Sequence, residues 1–237
     1  MDKKIESRNS VSSRTTSQKA LRINLDEKKY GTIVEIGAGQ EVARQFFLAG
    51  AAAGTIAKTM SAYDMKFSDA IYGVQEDGRY VSKARVKAMM EQEFDLVVDR
   101  VGDIRSKSSR YFAYAATVSA KSFNRNNECH AWCGVLGVLG VNLIYAAYHY
   151  FENPKQIIDS LTDGMKANRI EIDSIDFEGP YFEDADNRIK NIHLIRSWKT
   201  RAIMFRPDGS VAVPAEMLYK KNILTIRGSF RPVTKLN

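Results

Sequence analysis

The sequence has few of the residues that build metal centres and disulfide frameworks. Its 237 residues include two cysteines and three histidines. Two cysteines are too few for a disulfide scaffold, and the spacing of Cys129 and Cys133 is not a standard zinc-ligand spacing. We therefore interpret both cysteines as packed side chains and expect no metal site. A reducing cytoplasm is the simplest setting for such a chain.

The first 20 residues lack the apolar core that a secretory signal needs, and Asp2 and Glu6 are atypical of a transit peptide. Their polar composition, rich in serine and threonine, predicts a flexible tail over residues 1–19. The net charge of +7 is compatible with anionic ligands such as nucleotides. Zinc-finger, basic-zipper and RNA-recognition signatures are absent from the sequence, so we expect no nucleic-acid partner.

Residues 131–151 lack lysine, arginine, aspartate and glutamate. This stretch is long enough to cross a bilayer. However, Asn142, His149 and three glycines are atypical of such a span, and no second span accompanies it. We therefore predict a buried helix over residues 136–150 inside an α/β domain, and a cytoplasmic protein without a membrane partner.

The order of predicted elements indicates an α/β or α+β fold. Helix and strand patterns alternate early and strands dominate later, which favours a Rossmann-like mixed sheet with flanking helices and a strand-rich C-terminal part. We expect residues 20–237 to form a single domain. Predicted extended segments or strands cover residues 21–25, 31–36, 111–120, 169–177, 192–198, 201–205, 211–213 and 223–226. Predicted helices cover residues 40–48, 80–98, 136–150 and 155–167.

The segment VEIGAGQEV, residues 34–42, has the layout of a nucleotide-binding turn: a buried strand, closely spaced glycines and the start of a helix. A dinucleotide fingerprint requires a third glycine, where this chain has valine. A methyltransferase-type loop requires an acidic residue before the glycines. Glu35, Gly37 and Gly39 match that loop, whereas Glu41 replaces its last glycine.

Glu41 distinguishes between these two classes of ligand. The N-terminus of a helix attracts anions through its free N–H groups and its dipole. A carboxylate in the first turn complements that dipole and repels a pyrophosphate. The repulsion is weaker for S-adenosylmethionine, which has no phosphate and carries a cationic sulfonium. The alternative is a purely structural turn, in which the glycines only shape the chain.

Three further residues are candidates for chemistry near this turn. Asp64, 25 residues after Gly39, could bind ribose hydroxyls or Mg²⁺, although no convincing strand pattern precedes it. Lys58 is a candidate for neutralising phosphate, with a solvated segment as the alternative. His130 is a candidate acid or base. Cys129 is not expected to pair with it, because neighbouring residues of a strand point to opposite faces.

Several segments together resemble a poorly characterised bacterial protein family: VEIGAGQEVARQFF, GTIAKTMSAYDMKFSDAIYG, NECHAW, GVLGVNLIYAAYHY, RIEIDSIDFEGP and GSFRPVT. Members of this family carry the names nicotinate or nicotinamide mononucleotide adenylyltransferase and TonB-dependent receptor. The resemblance covers most of residues 21–234. This chain is shorter than such members after NECHAW and after GSFRPVT, which indicates a truncated or internally shortened member.

The first family name implies transfer of an adenylyl group from ATP to a pyridine mononucleotide, with Mg²⁺. In that reaction the glycines of the turn would allow close approach of the nucleotide. Lys58 would neutralise phosphate, Asp64 would hold ribose or Mg²⁺, and His130 would assist charge development. The histidine-containing ATP turn of established adenylyltransferases is absent here. The second name implies a barrel, a plug and a signal peptide, which the sequence does not predict, so we reject it.

Three hypotheses for function follow from the sequence. The first is a nucleotide-binding protein that acts as an adenylyltransferase-like enzyme with ATP and Mg²⁺. The second is an S-adenosylmethionine-dependent methyltransferase that uses the same turn, with Glu35 and Asp64 as polar contacts. The third is a non-catalytic scaffold whose glycine turn only shapes the fold. The expected partner is a small-molecule nucleotide, or, in the second hypothesis, S-adenosylmethionine, a nucleoside derivative without phosphate.

Overall fold

The computed structural model describes residues 14–37, 40–76, 78–118, 133–166, 170–218, 220–224 and 228. Its helices are α1 (Thr16–Asn24), α2 (Glu41–Ala49), α3 (Met65–Tyr72), α4 (Lys83–Val101), α5 (Cys133–His149), α6 (Pro154–Ser160), α7 (Asn187–Arg196) and α8 (Pro214–Met217). Its strands are β1 (Lys29–Ile36), β2 (Ile56–Met60), β3 (Arg110–Thr117), β4 (Met204–Phe205) and β5 (Val211–Ala212). The predicted α/β fold is confirmed.

β1 lies in the centre of a three-stranded parallel sheet, between β2 and β3. Val34 is paired with Met60 of β2, and Ile36 is paired with Thr117 of β3. The connections between these strands contain helices, as the crossovers of a parallel sheet require. The carboxyl ends of the three strands therefore meet at one edge of the sheet, which we call the carboxyl edge. β4 and β5 form a separate antiparallel pair.

Helices cover both faces of this sheet, because strand residues alternate between two apolar clusters. Ile33 packs in a cluster with residues of α1, α2 and α5. Val34 and Ile36 pack in the second cluster, with residues of α3 and α4. Since successive side chains of a strand point to opposite faces, Glu35 lies on the same face as Ile33. The sheet thus turns a carboxylate towards α2 and α5.

α1 begins inside the segment that was predicted as a flexible tail. Thr15 caps the helix: its hydroxyl accepts a hydrogen bond from the Gln18 main-chain N–H, and the Gln18 side chain accepts one from Thr15 N–H. This capping box stabilises the first turn. The tail prediction is corrected here, because residues 16–19 are helical. The extended segment predicted for residues 21–25 is also wrong, since α1 continues to Asn24.

α5 contains most of the uncharged stretch and confirms the predicted buried helix. Its Asn142 accepts a hydrogen bond from Lys19 Nζ at 2.8 Å and donates to the carbonyl oxygens of Leu161 and Asp163, each at 2.9 Å. Lys19 Nζ also forms an ion pair with the Asp163 carboxylate at 2.8 Å. Within the described ranges, no helix is both long and apolar enough to cross a membrane.

Among its described residues, the later part of the chain contains fewer strand residues than predicted. Residues 192–198 were predicted as a strand, but most of them lie in α7, which begins after the capping residue Asp186. The alternating pattern of residues 170–177 does not form a strand of either described sheet. Instead, α7 side chains bond to this segment: Asn191 to the main chain of Ile175, and Asn187 to that of Phe177.

The described contacts group into two compact units, whereas the sequence predicted one domain. The N-terminal unit comprises the chain up to Glu171 together with Glu178–Ala185, and it contains the parallel sheet. The C-terminal unit comprises Ile172–Phe177 and Asp186–Asn237, and it contains α7, α8 and the β4–β5 pair.

Candidate functional site

The strand order places a topological switch point at the carboxyl edge. After β1 the chain crosses to one side to form β2, and it then returns to the other side of β1 to form β3. Ligands of open parallel sheets bind in the crevice outside the carboxyl ends of the strands, at such a point. In this sheet the switch point lies between the ends of β1 and β3, at Ile36 and Thr117. The glycine turn follows directly after β1.

The buried side chain of Glu35 accepts hydrogen bonds from the N-terminus of α2. Its side chain is fully buried, and its carboxylate oxygens accept hydrogen bonds from the Val42 main-chain N–H at 3.1 and 3.2 Å. Ala43 N–H donates to the same group at 3.4 Å. Gln40, the residue before the helix, makes no side-chain capping bond. Burial raises the pKa of Glu35, whereas the hydrogen bonds from Val42 and Ala43 act in the opposite direction.

This contact decides which ligands suit the turn. The first N–H groups of a helix form a ready-made site for a phosphate. In α2 two of those donors already bond to Glu35, and Glu41 adds a second carboxylate in the first turn. A phosphate would have to displace one carboxylate and approach another. The arrangement therefore disfavours a pyrophosphate cradle and favours a ligand that is neutral or cationic at this point.

Gly37 permits the close approach of β3 to the end of β1. Its φ of +83° lies in the left-handed region, and a Cβ at this position would lie 1.9 Å from the carbonyl oxygen of Val118. Val118 N–H donates to the Ile36 carbonyl at 2.8 Å, so the two chains are held together here. Glycine is thus required by the fold itself, independently of any ligand. Gly39 lies outside the described residues.

Asp64 follows the carboxyl end of β2, at the same edge of the sheet as Gly37. Ala62, between β2 and Asp64, is buried in the apolar cluster of Val34 and Ile36, which fixes this segment beside the end of β1. Asp64 caps α3: its Oδ1 accepts a hydrogen bond from Phe67 N–H at 2.8 Å. The residue is exposed to solvent. β2, the strand that the sequence did not indicate, therefore places this carboxylate at the carboxyl edge, on the side of β1 opposite to β3.

Lys58 lies away from the carboxyl edge. It is paired with Thr32 in the middle of the sheet, five residues before Gly37, which corresponds to about 16 Å along the strand. Its Nζ forms an ion pair with Glu93 of α4 at 2.6 Å. Glu93 is itself buried and accepts a hydrogen bond from the Tyr72 hydroxyl at 2.8 Å. The structure thus brings Lys58 to a buried carboxylate rather than to the turn.

His130 lies outside the described residues, as does Cys129, and Cys133 begins α5. In the part of the chain that the structure describes, no group of three or more histidine, cysteine, aspartate or glutamate side chains could hold a metal ion. Sequence reasoning overlooked Tyr114 of β3, which is buried on the α2 and α5 face. Burial and the nearby charge of Glu35 raise the pKa of its hydroxyl. An aromatic residue in a buried strand gives no sequence signal of such a contact.

The opposite end of β1 carries a buried cation. Lys29 is 4% exposed, forms an ion pair with Asp26 at 3.2 Å, and lies 3.4 Å from Nε2 of His149. Its ammonium also lies 4.9 Å from the centre of the Tyr148 ring. Burial and the neighbouring positive charges lower the pKa of His149 to about 4. His149 is therefore neutral at physiological pH and serves as an acceptor for Lys29.

The described cavities lie away from the carboxyl edge. One, of about 580 Å³, is lined by residues of α1 and of the α1–β1 connection, including Arg22 and Asp26. Another, of about 500 Å³, lies along α4 and is lined by residues including Glu91 and Asp95. Both are shallow. A comparison of the chain with protein-family models, curated proteins and solved structures finds no significant match.

Proposed function

We propose that the protein binds a nucleoside-containing cofactor without phosphates, of the S-adenosylmethionine class, at the carboxyl edge between β1 and β3. Methyl transfer is the reaction class that such a cofactor would supply. A lone pair of the acceptor would form a bond to the methyl carbon as the bond from that carbon to the sulfonium sulfur breaks, so that sulfur leaves as a neutral thioether and the acceptor's proton passes to solvent. In this proposal Asp64 binds the ribose hydroxyls and Glu35 holds the glycine turn in its shape.

One observation carries the proposal, namely the fully buried Glu35 carboxylate on the first N–H groups of α2. It occupies the position that a dinucleotide cofactor would give to a phosphate. The remaining features of a nucleoside site are compatible with this occupation. These are the switch point, the glycine after β1 and the exposed carboxylate after β2.

The adenylyl-transfer hypothesis has less support from these contacts. Such a reaction needs cations near the transferring phosphate. Lys58, the lysine considered for that role, is bonded to Glu93 in the middle of the sheet. The carboxylates of Glu35 and Glu41 stand at the turn where the phosphates would lie. The scaffold hypothesis predicts no response to any nucleoside.

The experiment is isothermal titration calorimetry of the whole chain with S-adenosylmethionine, and of the variants Asp64→Asn and Asp95→Asn. Asparagine caps helices as well as aspartate, so Asp64→Asn removes the charge and keeps the cap of α3. Asp95, an exposed carboxylate of α4, is the matched control. We expect Asp64→Asn to weaken binding about tenfold, because hydrogen bonds to a charged group are stronger than neutral ones. Asp95→Asn should bind as the unchanged protein does.

Two results would overturn the proposal. The first is no heat of binding with a folded protein, which would leave the scaffold hypothesis. The second is equal binding by Asp64→Asn and the unchanged protein, which would move the ribose contact away from the end of β2. A methyl-transfer assay is the next step only after binding has been measured.

A further inference from the structure

The positive charge of the chain is concentrated in the C-terminal unit. Its two stretches, Ile172–Phe177 and Asp186–Asn237, contain 11 lysines and arginines but five aspartates and glutamates, a net charge of +6. Since the whole chain has a net charge of +7, the N-terminal unit is left with +1. A basic unit of this kind attracts an extended anionic surface.

α7 directs two asparagine side chains towards the segment Ile172–Phe177. Asn191 is fully buried, and it donates to the Ile175 carbonyl at 2.6 Å and accepts from Ile175 N–H at 2.9 Å. Asn187, one turn earlier, makes the same pair of bonds with Phe177 at 2.9 and 3.1 Å. Leu194 is the buried apolar residue of this face. Hydrogen bonds from two asparagine side chains to the main chain therefore hold the helix in its own unit.

The exposed side of α7 carries three isoleucines beside Arg188 and Arg196. Ile189, Ile192 and Ile195 recur at three-residue steps and are 60%, 45% and 38% exposed. Trp198 continues the row beyond the end of the helix and is 94% exposed. We call these four residues the isoleucine–tryptophan row. Exposed apolar residues in a contiguous group mark an interaction surface rather than a packing position.

Packing does not explain the position of Trp198, because 94% of the residue is exposed. Its φ of +57° lies in the left-handed region, where helix ends normally place glycine. The backbone bonds at this helix end, from Trp198 N–H to the Ile195 carbonyl and from Lys199 N–H to that of Leu194, need no indole. The side chain thus projects into solvent from an unfavourable conformation, flanked by the exposed residues Arg196 and Arg201.

We propose that the isoleucine–tryptophan row docks on an anionic lipid surface. The apolar side chains would enter the interfacial region, where tryptophan is favoured, and Arg196 and Arg201 would lie among the lipid phosphates. A single-stranded nucleic acid would use the tryptophan and the arginines but would leave the isoleucines without a partner. A second copy of the chain would bring two units of charge +6 together. The lipid surface is the occupant that uses both the apolar row and the charge.

The test is sedimentation of the whole chain with vesicles of phosphatidylglycerol and phosphatidylcholine in equal parts, compared with vesicles of phosphatidylcholine alone. We expect binding to the acidic vesicles, weakened by salt. Trp198→Gly suits the left-handed backbone and should keep the fold, yet it should lower the binding constant about tenfold. Ile192→Ala should weaken binding several-fold. Ile104→Ala, a change at an exposed isoleucine of the N-terminal unit, is the matched control and should have no effect.

Thermal unfolding of each variant shows whether the fold is retained. Equal binding to acidic and neutral vesicles, or no binding to either, would overturn the proposal. So would unchanged binding by both Trp198→Gly and Ile192→Ala. Displacement of bound protein by a single-stranded oligonucleotide at the same salt concentration would assign the surface to nucleic acid. A dimer in sedimentation equilibrium that Ile192→Ala dissociates, without vesicle binding, would assign it to a second copy. The lipid test is independent of the cofactor proposed for the carboxyl edge.

Discussion

Each end of β1 holds a buried ionisable side chain, and the two side chains are stabilised by different kinds of partner. At the carboxyl end, Glu35 accepts hydrogen bonds from main-chain N–H groups of α2. At the amino end, Lys29 is surrounded by side chains: the carboxylate of Asp26, the imidazole of His149 and the ring of Tyr148. Main-chain donors cannot titrate, whereas the side chains around Lys29 can, and Asp26 and His149 do so below neutral pH.

This difference suits the carboxyl end of β1 to ligand binding and the amino end to a structural role. Main-chain bonds fix the Glu35 carboxylate and the glycine turn in one geometry, which a binding site requires. The cluster around Lys29 joins the start of β1 to the end of α5 and depends on the protonation of its members. We therefore place ligand binding at the carboxyl end and sensitivity to acid at the amino end.

Glu35→Ala should have the largest effect. It leaves the N–H groups of Val42 and Ala43 buried without an acceptor, and each such group costs about 1–3 kcal/mol. We expect the free energy of unfolding to fall by about 4 kcal/mol, measured by denaturant titration. Glu41→Ala is the control, because that carboxylate acts only through the helix dipole and should contribute less than about 1 kcal/mol. Similar losses in the two variants would contradict the assigned role of Glu35.

Gly37→Ala should cost about 3 kcal/mol in the same measurement, since the new methyl group meets both a left-handed backbone and the Val118 carbonyl oxygen. Gly50→Ala separates these two contributions. Gly50 has a φ of +84°, but nothing lies within 4 Å of its Cβ position. We expect about 1 kcal/mol for Gly50→Ala. An equal cost at both positions would mean that the approach of β3 does not require Gly37.

Lys58→Met tests the middle of the sheet, between the two ends. It removes the cation that balances the buried Glu93 carboxylate, so stability should fall by about 2 kcal/mol. Lys66→Met, at an exposed position of α3, is the control and should change stability by less than about 0.5 kcal/mol. Neither change should alter the Kd for S-adenosylmethionine. A selective loss of ligand binding in Lys58→Met would return Lys58 to the site.

Acidification should weaken the amino end by a smaller amount. His149 has a pKa of about 4 in the folded chain, against 6.5 for a free histidine. The stability that its neutral form contributes is therefore fully present above pH 6.5 and is lost as the pH falls towards 4. Lys29, Arg22 and Arg14 oppose its protonation, and Asp26 favours it. With allowance for partial solvent exposure, this loss is roughly 1–2 kcal/mol.

Denaturant titrations across this pH range, compared with those of His149→Gln, isolate the contribution of the histidine. The variant should show a shallower decline of stability with falling pH. The contribution of Glu35 to stability has the opposite pH dependence. Because its pKa is raised, the stability that it contributes is lost as the pH rises. Parallel pH profiles of the unchanged protein and His149→Gln would remove His149 from the account.

The sequence predicted β1, the glycine turn and α2 because each has a strong local signal. β1 is an apolar, β-branched run, Gly37 supplies the left-handed turn, and the helix pattern begins directly afterwards. The carboxylate of Glu35 was also singled out, as part of the spacing that precedes the glycines. The spacing did not predict the hydrogen-bond partner of Glu35. Its bond to Val42 depends on the angle between the strand and the helix.

Other features depend on contacts between residues far apart in the chain. β2 alternates weakly and becomes a strand by pairing with β1, which local propensity does not encode. Lys58 and Glu93 are 35 residues apart, so their ion pair has no sequence signal. α7 was mistaken for a strand because its outward isoleucines conceal the helical pattern, while its buried side uses asparagines.

The most direct test of the account compares two ligands on the unchanged protein by isothermal titration calorimetry in one buffer. If Glu35 occupies the anion position of α2, S-adenosylmethionine should bind at least about tenfold more tightly than ADP, because only ADP brings phosphates towards the carboxylates of the turn. ADP binding with an equal or lower Kd would contradict the central claim, because it would show that the turn accommodates a pyrophosphate despite Glu35.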